Sequence, residues 1–303
     1  MHQNILRILR ERVGRVSEKS DAEQAKSLVI GATGLTGGYI VEHLVRSGQR
    51  PLAFSRSRQT RPDADWFQGD LEKPGPFGLP PFATLYCTAS AILLPAALPF
   101  LFNSSLKRVV VFSSTSVMTK IDSEIVSERE TLKKLTRAEQ EIAALCSQNS
   151  IGWTILRPTL IYAEGRDITI TPLSRLIRRF GFMPLVGGGP GLRQPVHAED
   201  LAVGAIAAAS SQGSVDKVYS LPGGETITYR EMIGRIFDAL HLPRRTIPIP
   251  PFVWKAVFAF AKPLFPSANV AMGLRMMKDM AFDSTPAAHD FGWSPRMFNP
   301  VFD

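Results

Sequence analysis

The sequence predicts an α/β protein built on a doubly wound parallel sheet, with a smaller, mostly helical C-terminal lobe. Three observations predict it. Short, continuously apolar strands alternate with amphipathic helical stretches, the pattern expected of strands covered by helices on both faces. A glycine-rich turn, GATGLTG, joins the first strand to the first helix. After Pro158 the texture changes to loops, basic and proline-punctuated helices and a second glycine turn, GGGPG, at Gly187 to Gly191.

Taken in order, SLVI from Ser27 is a short buried strand, and the helix after the turn stops at Gly48. Arg50 to Arg56, Ala83 to Ala89, Lys107 to Ser114 and Trp153 to Pro158 are the next strands, and Glu128 to Gln148 is the clearest helix. A short basic helix is expected around Leu173 to Phe180, another helix from the acidic pair Glu199 and Asp200, and a last strand at Lys217 to Gly223. The expected organisation is an N-terminal helical extension (1–26), a nucleotide-binding domain (27–223) with a substrate-lobe insertion at about 163–197, and a C-terminal lobe (224–303). The first 26 residues lack the apolar core of a secretory signal, and their acidic residues make a poor transit peptide.

The 303 residues carry 45% hydrophobic and 20% charged side chains, a globular composition. Two cysteines, Cys87 and Cys146, argue against a disulfide framework and suit the cytoplasm. The net charge of +8 comes from scattered basic residues without aromatic interleaving or zinc spacing, so nucleic acid is not the expected partner. Phosphorylated small ligands or an anionic membrane surface account for the charge as well. The apolar stretch Pro250 to Phe265, broken by Lys255 and Lys262, is too short to span a bilayer. It suits a peripheral membrane contact, a cover for the cleft or a homodimer contact.

Gly31, Gly34 and Gly37 have the G-x-x-G-x-x-G spacing of a Rossmann-type phosphate turn. Such a turn lets the backbone N–H groups of Thr33, Leu35 and Thr36 approach a pyrophosphate, while the last glycine lets helix and strand pack closely. At the end of the second strand an NAD-selective protein places a carboxylate on the ribose hydroxyls. Here the strand ends FSRSR, and Ser55, Arg56 and Arg58 suit a 2′-phosphate, which favours NADP over NAD.

These residues, with GDL at Gly69 to Leu71, CTAS at Cys87 to Ser90, FSSTSV at Phe112 to Val117, ILRPTLIY at Ile155 to Tyr162 and QPVHAEDLA at Gln194 to Ala202, resemble the short-chain dehydrogenase/reductase superfamily in its extended or atypical branch. That branch includes nucleotide-sugar epimerases and dehydratases as well as NADP-binding proteins with degraded active sites. The resemblance implies that Asp70 and Leu71 flank the adenine and that Thr88 and Ala89 line the path to the nicotinamide ribose. It puts Ser113 on the cofactor, Thr115 at the catalytic Ser/Thr, and Pro158 and Thr159 beside the nicotinamide. His197 is read as mainly structural.

The family's proton donor is a tyrosine with a lysine one helical turn later. No Tyr-x-x-x-Lys occurs in this chain. Aligning Thr136 to Glu141 with the family pattern puts Lys133 at the tyrosine and Arg137 at the lysine and ribose contact. Tyr162 is the other candidate donor. Arg175, Arg178 and Arg193 are candidate cations for an unidentified small-molecule substrate. Two readings follow: an NADP-dependent oxidoreductase or nucleotide-sugar epimerase/dehydratase-like enzyme with a non-standard donor, or a non-catalytic NADP-binding sensor or accessory subunit.

Overall fold

The structure, a computed structural model, describes residues 26–119, 125–254, 256 and 273–302. The N-terminal extension, and the segment 250–265 beyond its first residues, lie outside the described residues. Along the chain run β1 (Ser27–Ile30), α1 (Leu35–Arg46), β2 (Leu52–Ser55), β3 (Asp65–Gln68), β4 (Thr84–Cys87), α2 (Leu94–Leu101), β5 (Arg108–Phe112), α3 (Val126–Gln148) and β6 (Gly152–Pro158). There follow β7 (Ile161–Tyr162), α4 (Ile170–Phe180), β8 (Met183–Val186), β9 (Leu192–Arg193), β10 (Val196–His197), α5 (Ala198–Ser210), β11 (Lys217–Leu221), β12 (Ile227–Thr228), α6 (Tyr229–Ala239), β13 (Thr246–Ile249) and α7 (Thr285–Phe291).

Seven strands form one parallel sheet in the order β11-β6-β5-β4-β1-β2-β3. The order reverses at β1 and β4, and the crevice at their C-terminal ends is where ligands bind in sheets of this kind. The continuous apolar runs have a direct cause: successive side chains point to opposite faces, and both faces are covered. Val29, Ala53 and Val110 join one core with Ile40 and Leu44 of α1 and Leu201 and Ala205 of α5. Leu28, Ile30, Phe54 and Val111 join the other with Leu94 and Leu98 of α2 and Ile142 and Cys146 of α3. Small alanines on α5 let it pack close to α1, and Gly204 leaves room for the Trp293 ring.

The strands expected from sequence match, and β3 is an addition. Its DWFQ is only half-buried at the sheet edge, so it lacks the apolar run that marks the inner strands. Asp65 anchors it by accepting from Arg50 Nε at 2.6 Å and pairing with Lys26 at 3.3 Å.

A third core gathers Tyr162, Ile170, Ile177, Leu185, Ile233, Phe237 and Phe298, packing α4, α6 and short strand pairs beside the sheet. Asp167 sets where this lobe starts. Its buried carboxylate accepts from the amides of Thr169 (2.8 Å), Ile170 (2.5 Å) and Thr171 (3.1 Å) and from the Thr171 hydroxyl (2.6 Å). These are the orphan donors of the first turn of α4. Burial pushes this carboxyl up, but the Thr171 hydroxyl and the three amides outweigh it and hold it below the ordinary 3.8. Asp167→Ala is therefore expected to cost about 1–3 kcal/mol in thermal unfolding at neutral pH. A depressed carboxyl stabilises the fold above its unfolded value and loses that contribution as pH falls through its folded value. The gap between wild type and Asp167→Asn should accordingly close below about pH 4, and an unchanged gap would remove this role from Asp167.

Candidate functional site: a trough at the glycine turn

The turn after β1 is shaped by close approach. Gly31 adopts φ +81°, and a Cβ there would stand 2.5 Å from Thr88 Oγ1. A Cβ on Gly37 would stand 2.2 Å from the Gly31 carbonyl oxygen. The Thr88 hydroxyl lies 3.0 Å and 3.2 Å from the carbonyl oxygens of Ile30 and Gly31, tying β4 to the turn. Helix α1 then opens with no side-chain cap on Gly34 and no acidic residue in its first turn. Its first N–H groups have no intrahelical acceptor, the arrangement that receives a phosphate.

Two clefts meet at this turn. The first, about 390 Å³, is lined by Gly31, Thr33, Gly34, Ser55, Arg56, Asp70, Leu71, Thr88 and Ala89, all sequence candidates, and by Ile30, Phe54, Gly69, Glu72, Ser90 and Leu93. The second, about 330 Å³, is lined by Thr36, Thr88, Ala89, Ser113 and Pro158 from the candidates, and by Ser90, Ala91, Ile92, Phe112, Thr131, Leu135 and Ile161. Thr88, Ala89 and Ser90 belong to both walls, so the clefts form one elongated trough over the C-terminal ends of β1, β4 and β5. Leu35 lies in the first turn of α1, and Thr159 donates its hydroxyl to the Gln194 carbonyl; neither lines the trough.

At the β2 end, Ser55 is buried and Arg56 is exposed with no ion pair among the described residues. No carboxylate ends the strand; those of Asp70 and Glu72 enter from the turn after β3. Asp70 Oδ1 accepts from the Glu72 amide at 3.0 Å, which fixes that turn. The buried Ser113 Oγ has no hydrogen-bond partner among the described residues, and Ser113 is one of the residues that line the second cleft. A bound ligand offering a polar atom would relieve that cost.

The expected donors are elsewhere. Lys133 and Arg137 are exposed on the outer face of α3, and the Arg137 side chain, 80% exposed, is turned to Glu141 at 2.7 Å. The α3 residues that face the trough one turn apart are Thr131 and Leu135. The buried carboxylate eight residues after Thr131 is Glu139, held by Arg157 of β6 at Nε 3.0 Å. Arg157 sits in the LRP strand, so this buried pair fixes the helix register. Lys133 and Arg137 each stand two residues further along the helix than Thr131 and Leu135, a rotation of about 200°, and so point away from the trough.

Tyr162 is buried against Phe298 and His197 (centroids 5.0 and 5.1 Å) and lines neither cleft. Burial and then Glu164 push its phenol above the ordinary value, which disfavours the anion that a proton relay would use. Thr115 is buried with its hydroxyl donating to the Pro158 carbonyl at 3.0 Å, outside the trough lining. His197 caps α5, its Nδ1 accepting from the Glu199 amide, and its Nε2 lies 3.3 Å from Glu164. Cys87 ends β4 beneath the trough, where burial pushes its thiol up to about 12. Arg193 is not a substrate cation: it is buried, donating to the carbonyls of Leu192, Lys278 and Arg275. Arg175 and Arg178 are exposed on α4, and neither lines a described cleft. Among the described residues, none lining the second cleft is acidic, basic, histidine, cysteine or tyrosine.

No family model matches the chain. The "NADH dehydrogenase [ubiquinone] 1 alpha subcomplex subunit 9, mitochondrial" of Arabidopsis thaliana is 25% identical over 264 residues, covering 80% of this chain and 64% of that protein. The UDP-glucose 4-epimerase of Vibrio cholerae is 23% identical over 160 residues, covering 53% of this chain and 47% of the epimerase. The chain therefore spans less than two thirds of these relatives' lengths. Among solved structures, MoeE5 in complex with UDP-glucuronic acid and NAD superposes with a TM-score of 0.69 at 19% identity, covering 90% of this chain and 94% of that one. These relatives and the shared fold agree with the resemblance to the atypical, epimerase/dehydratase-like branch of the short-chain dehydrogenase/reductase superfamily.

Proposed function

We propose that this chain is an NADP(H)-binding protein that holds its dinucleotide without turning it over, an accessory or sensing subunit rather than a free-standing epimerase. The observation that carries the reading is the lining of the second cleft: at the end where the nicotinamide would lie, no described side chain can give or take a proton near neutral pH. Thr131 and Leu135 are the α3 residues that line this cleft, and neither is a tyrosine or a lysine. When bound, the cofactor would supply hydride chemistry, and the chain's part would be to hold it. Gly31, Thr33 and Gly34 would take the pyrophosphate, Asp70 and Leu71 the adenine, and Ser113 the nicotinamide half.

Arg56, beside Ser55 and with no carboxylate at the strand end, supports NADP over NAD. The Arabidopsis relative, a subunit by its name, supports the accessory reading. Cys87 and Cys146, both buried and unpaired, suit a reducing compartment such as the cytoplasm; the relative is named as mitochondrial. The enzymatic reading keeps one observation in its favour, the unpartnered Ser113 hydroxyl, which could bond a substrate as well as a cofactor.

Calorimetric titration separates these readings. NADPH should bind more tightly than NADH. Arg56→Ala should weaken NADPH binding about tenfold to a hundredfold, the worth of a charge-assisted bond, and leave NADH unchanged. Bound NADPH should stay reduced when UDP-sugars are added. Absence of binding by either nucleotide would sink the proposal, and oxidation of bound NADPH by a UDP-sugar would return the enzymatic reading.

A further inference from the structure

The basic helix α4, left without a role by the trough, belongs to a surface of unusual composition. From Ile168 to Ala198 the sequence has no acidic residue, and from Ala239 to Lys278 it again has none. The fold brings parts of these two stretches side by side. Strand β8 pairs in parallel with β13, Pro184 opposite Ile247, and the Met183 amide donates to the Arg245 carbonyl at 2.9 Å.

Helix α4 buries Ile170, Ser174 and Ile177 and leaves its other side to solvent. On that side two rows run along the helix, each of residues four apart: Arg175 with Arg179, and Leu176 with Phe180. The apolar row continues past the helix end, where the Phe180 and Phe182 rings lie 6.5 Å apart. Leu176 is 42% exposed, Phe180 55%, Phe182 41% and Ile247 48%, so large apolar side chains stand in water beside arginines. Arg179 lies over the Phe180 ring at 5.3 Å. Arg244 is committed to Glu231 and Asp238, which neutralises the acids nearest the patch.

We propose that this face, built on the outer side of α4 and the β8–β13 ribbon, docks on an anionic lipid surface. Exposed apolar clusters of this kind mark contact sites. Charge complementarity selects the occupant: a patch of arginines with no free carboxylate fits the negative headgroup layer, while Leu176, Phe180 and Phe182 reach the acyl boundary. Arginine and phenylalanine interleaved on one short helix suit a broad, fluid anionic plane better than a single pocketed anion. Among the described residues no helix is long and apolar enough to cross a membrane, so the contact is peripheral.

The test is co-sedimentation of the full chain with phosphatidylcholine vesicles and with mixed phosphatidylcholine–phosphatidylserine vesicles. Binding should require phosphatidylserine and fall with salt. Arg175→Glu with Arg179→Glu should reduce it at least about tenfold, from the roughly 1 kcal/mol that each basic residue contributes near such a surface. Phe180→Ser with Phe182→Ser should reduce it similarly. None of the four side chains is buried, so thermal unfolding and NADPH binding should match the unaltered protein in both variants. Binding that ignores phosphatidylserine, binding that survives both variants, or no vesicle binding at all would each overturn the proposal; the last would leave the face to a protein partner.

Discussion

Gly37→Ala is expected to open the glycine turn and abolish tight dinucleotide binding, whereas Gly38→Ala next to it is expected to do neither. A Cβ on Gly37 would stand 2.2 Å from the Gly31 carbonyl oxygen and 2.7 Å from Thr88 Oγ1. Neither is the end of a flexible side chain: one is backbone, and the other is held by two carbonyls. Helix α1 would have to move off β1, and the Thr88 bridge to β4 would break with it. Overpacking of this kind costs about 1–3 kcal/mol, and backbone obstruction puts this case at the upper end. A chain of this size should lose roughly 5 °C or more in thermal unfolding. Because the displaced atoms are those proposed to receive the pyrophosphate, NADPH affinity should fall at least about tenfold. On Gly38 the nearest atom to a new Cβ is the Ala32 carbonyl oxygen at 3.7 Å, an ordinary contact. Alanine there gains helix propensity of about 0.5–1 kcal/mol, so stability should hold or rise. Equal effects at the two positions, measured by thermal unfolding and NADPH titration, would refute the close-approach account.

The glycine turn also shows why this part of the fold was readable in sequence. Gly31, at φ +81°, and Gly37, with no room for a Cβ, meet backbone requirements that mark the sequence without any tertiary information. The inner strands were readable for a related reason: burial on both faces leaves a run of apolar residues, as in RVVVF at Arg108 to Phe112. What sequence did not give was helix phase. On α3 both Glu139 and Glu141 are candidates for the carboxylate that anchors the helix to the sheet. Only the fold shows that Glu139 is the buried one, paired with Arg157, and that Glu141 faces solvent with Arg137. The alignment with the family pattern picks out Lys133 and Arg137, whereas the fold turns Thr131 and Leu135 to the cleft and those two to solvent. Arg193 misled in the same way. A guanidinium after a glycine turn looks like an anion contact, and its real partners, three carbonyls on either side of a gap of more than eighty residues, cannot be seen locally.

The same helix phase yields the second large effect. Leu135→Glu is expected to weaken NADPH binding at least about tenfold, while Lys133→Glu and Arg137→Glu leave it unchanged. Leu135 lies half-buried on the wall of the second cleft, packed on the core beneath α3. A carboxylate there would be partly desolvated and would face the ribose and phosphates of a bound dinucleotide. Repulsion of that kind is poorly screened when solvent is excluded. Lys133 and Arg137 project from the opposite side of the helix into water, where charge reversal acts over a distance comparable with the screening length. Arg137→Glu would also cost its exposed pairing with Glu141, worth at most about 0.5 kcal/mol and unrelated to the trough. The three variants differ only in where one helix points each residue, so nucleotide affinity measured side by side reads that phase directly. If Lys133→Glu or Arg137→Glu weakened NADPH as much as Leu135→Glu, the basic pair would be facing the nicotinamide after all. A protonatable amine would then be available in the cleft, and the case for a binding protein without chemistry would fall with the helix phase that supports it.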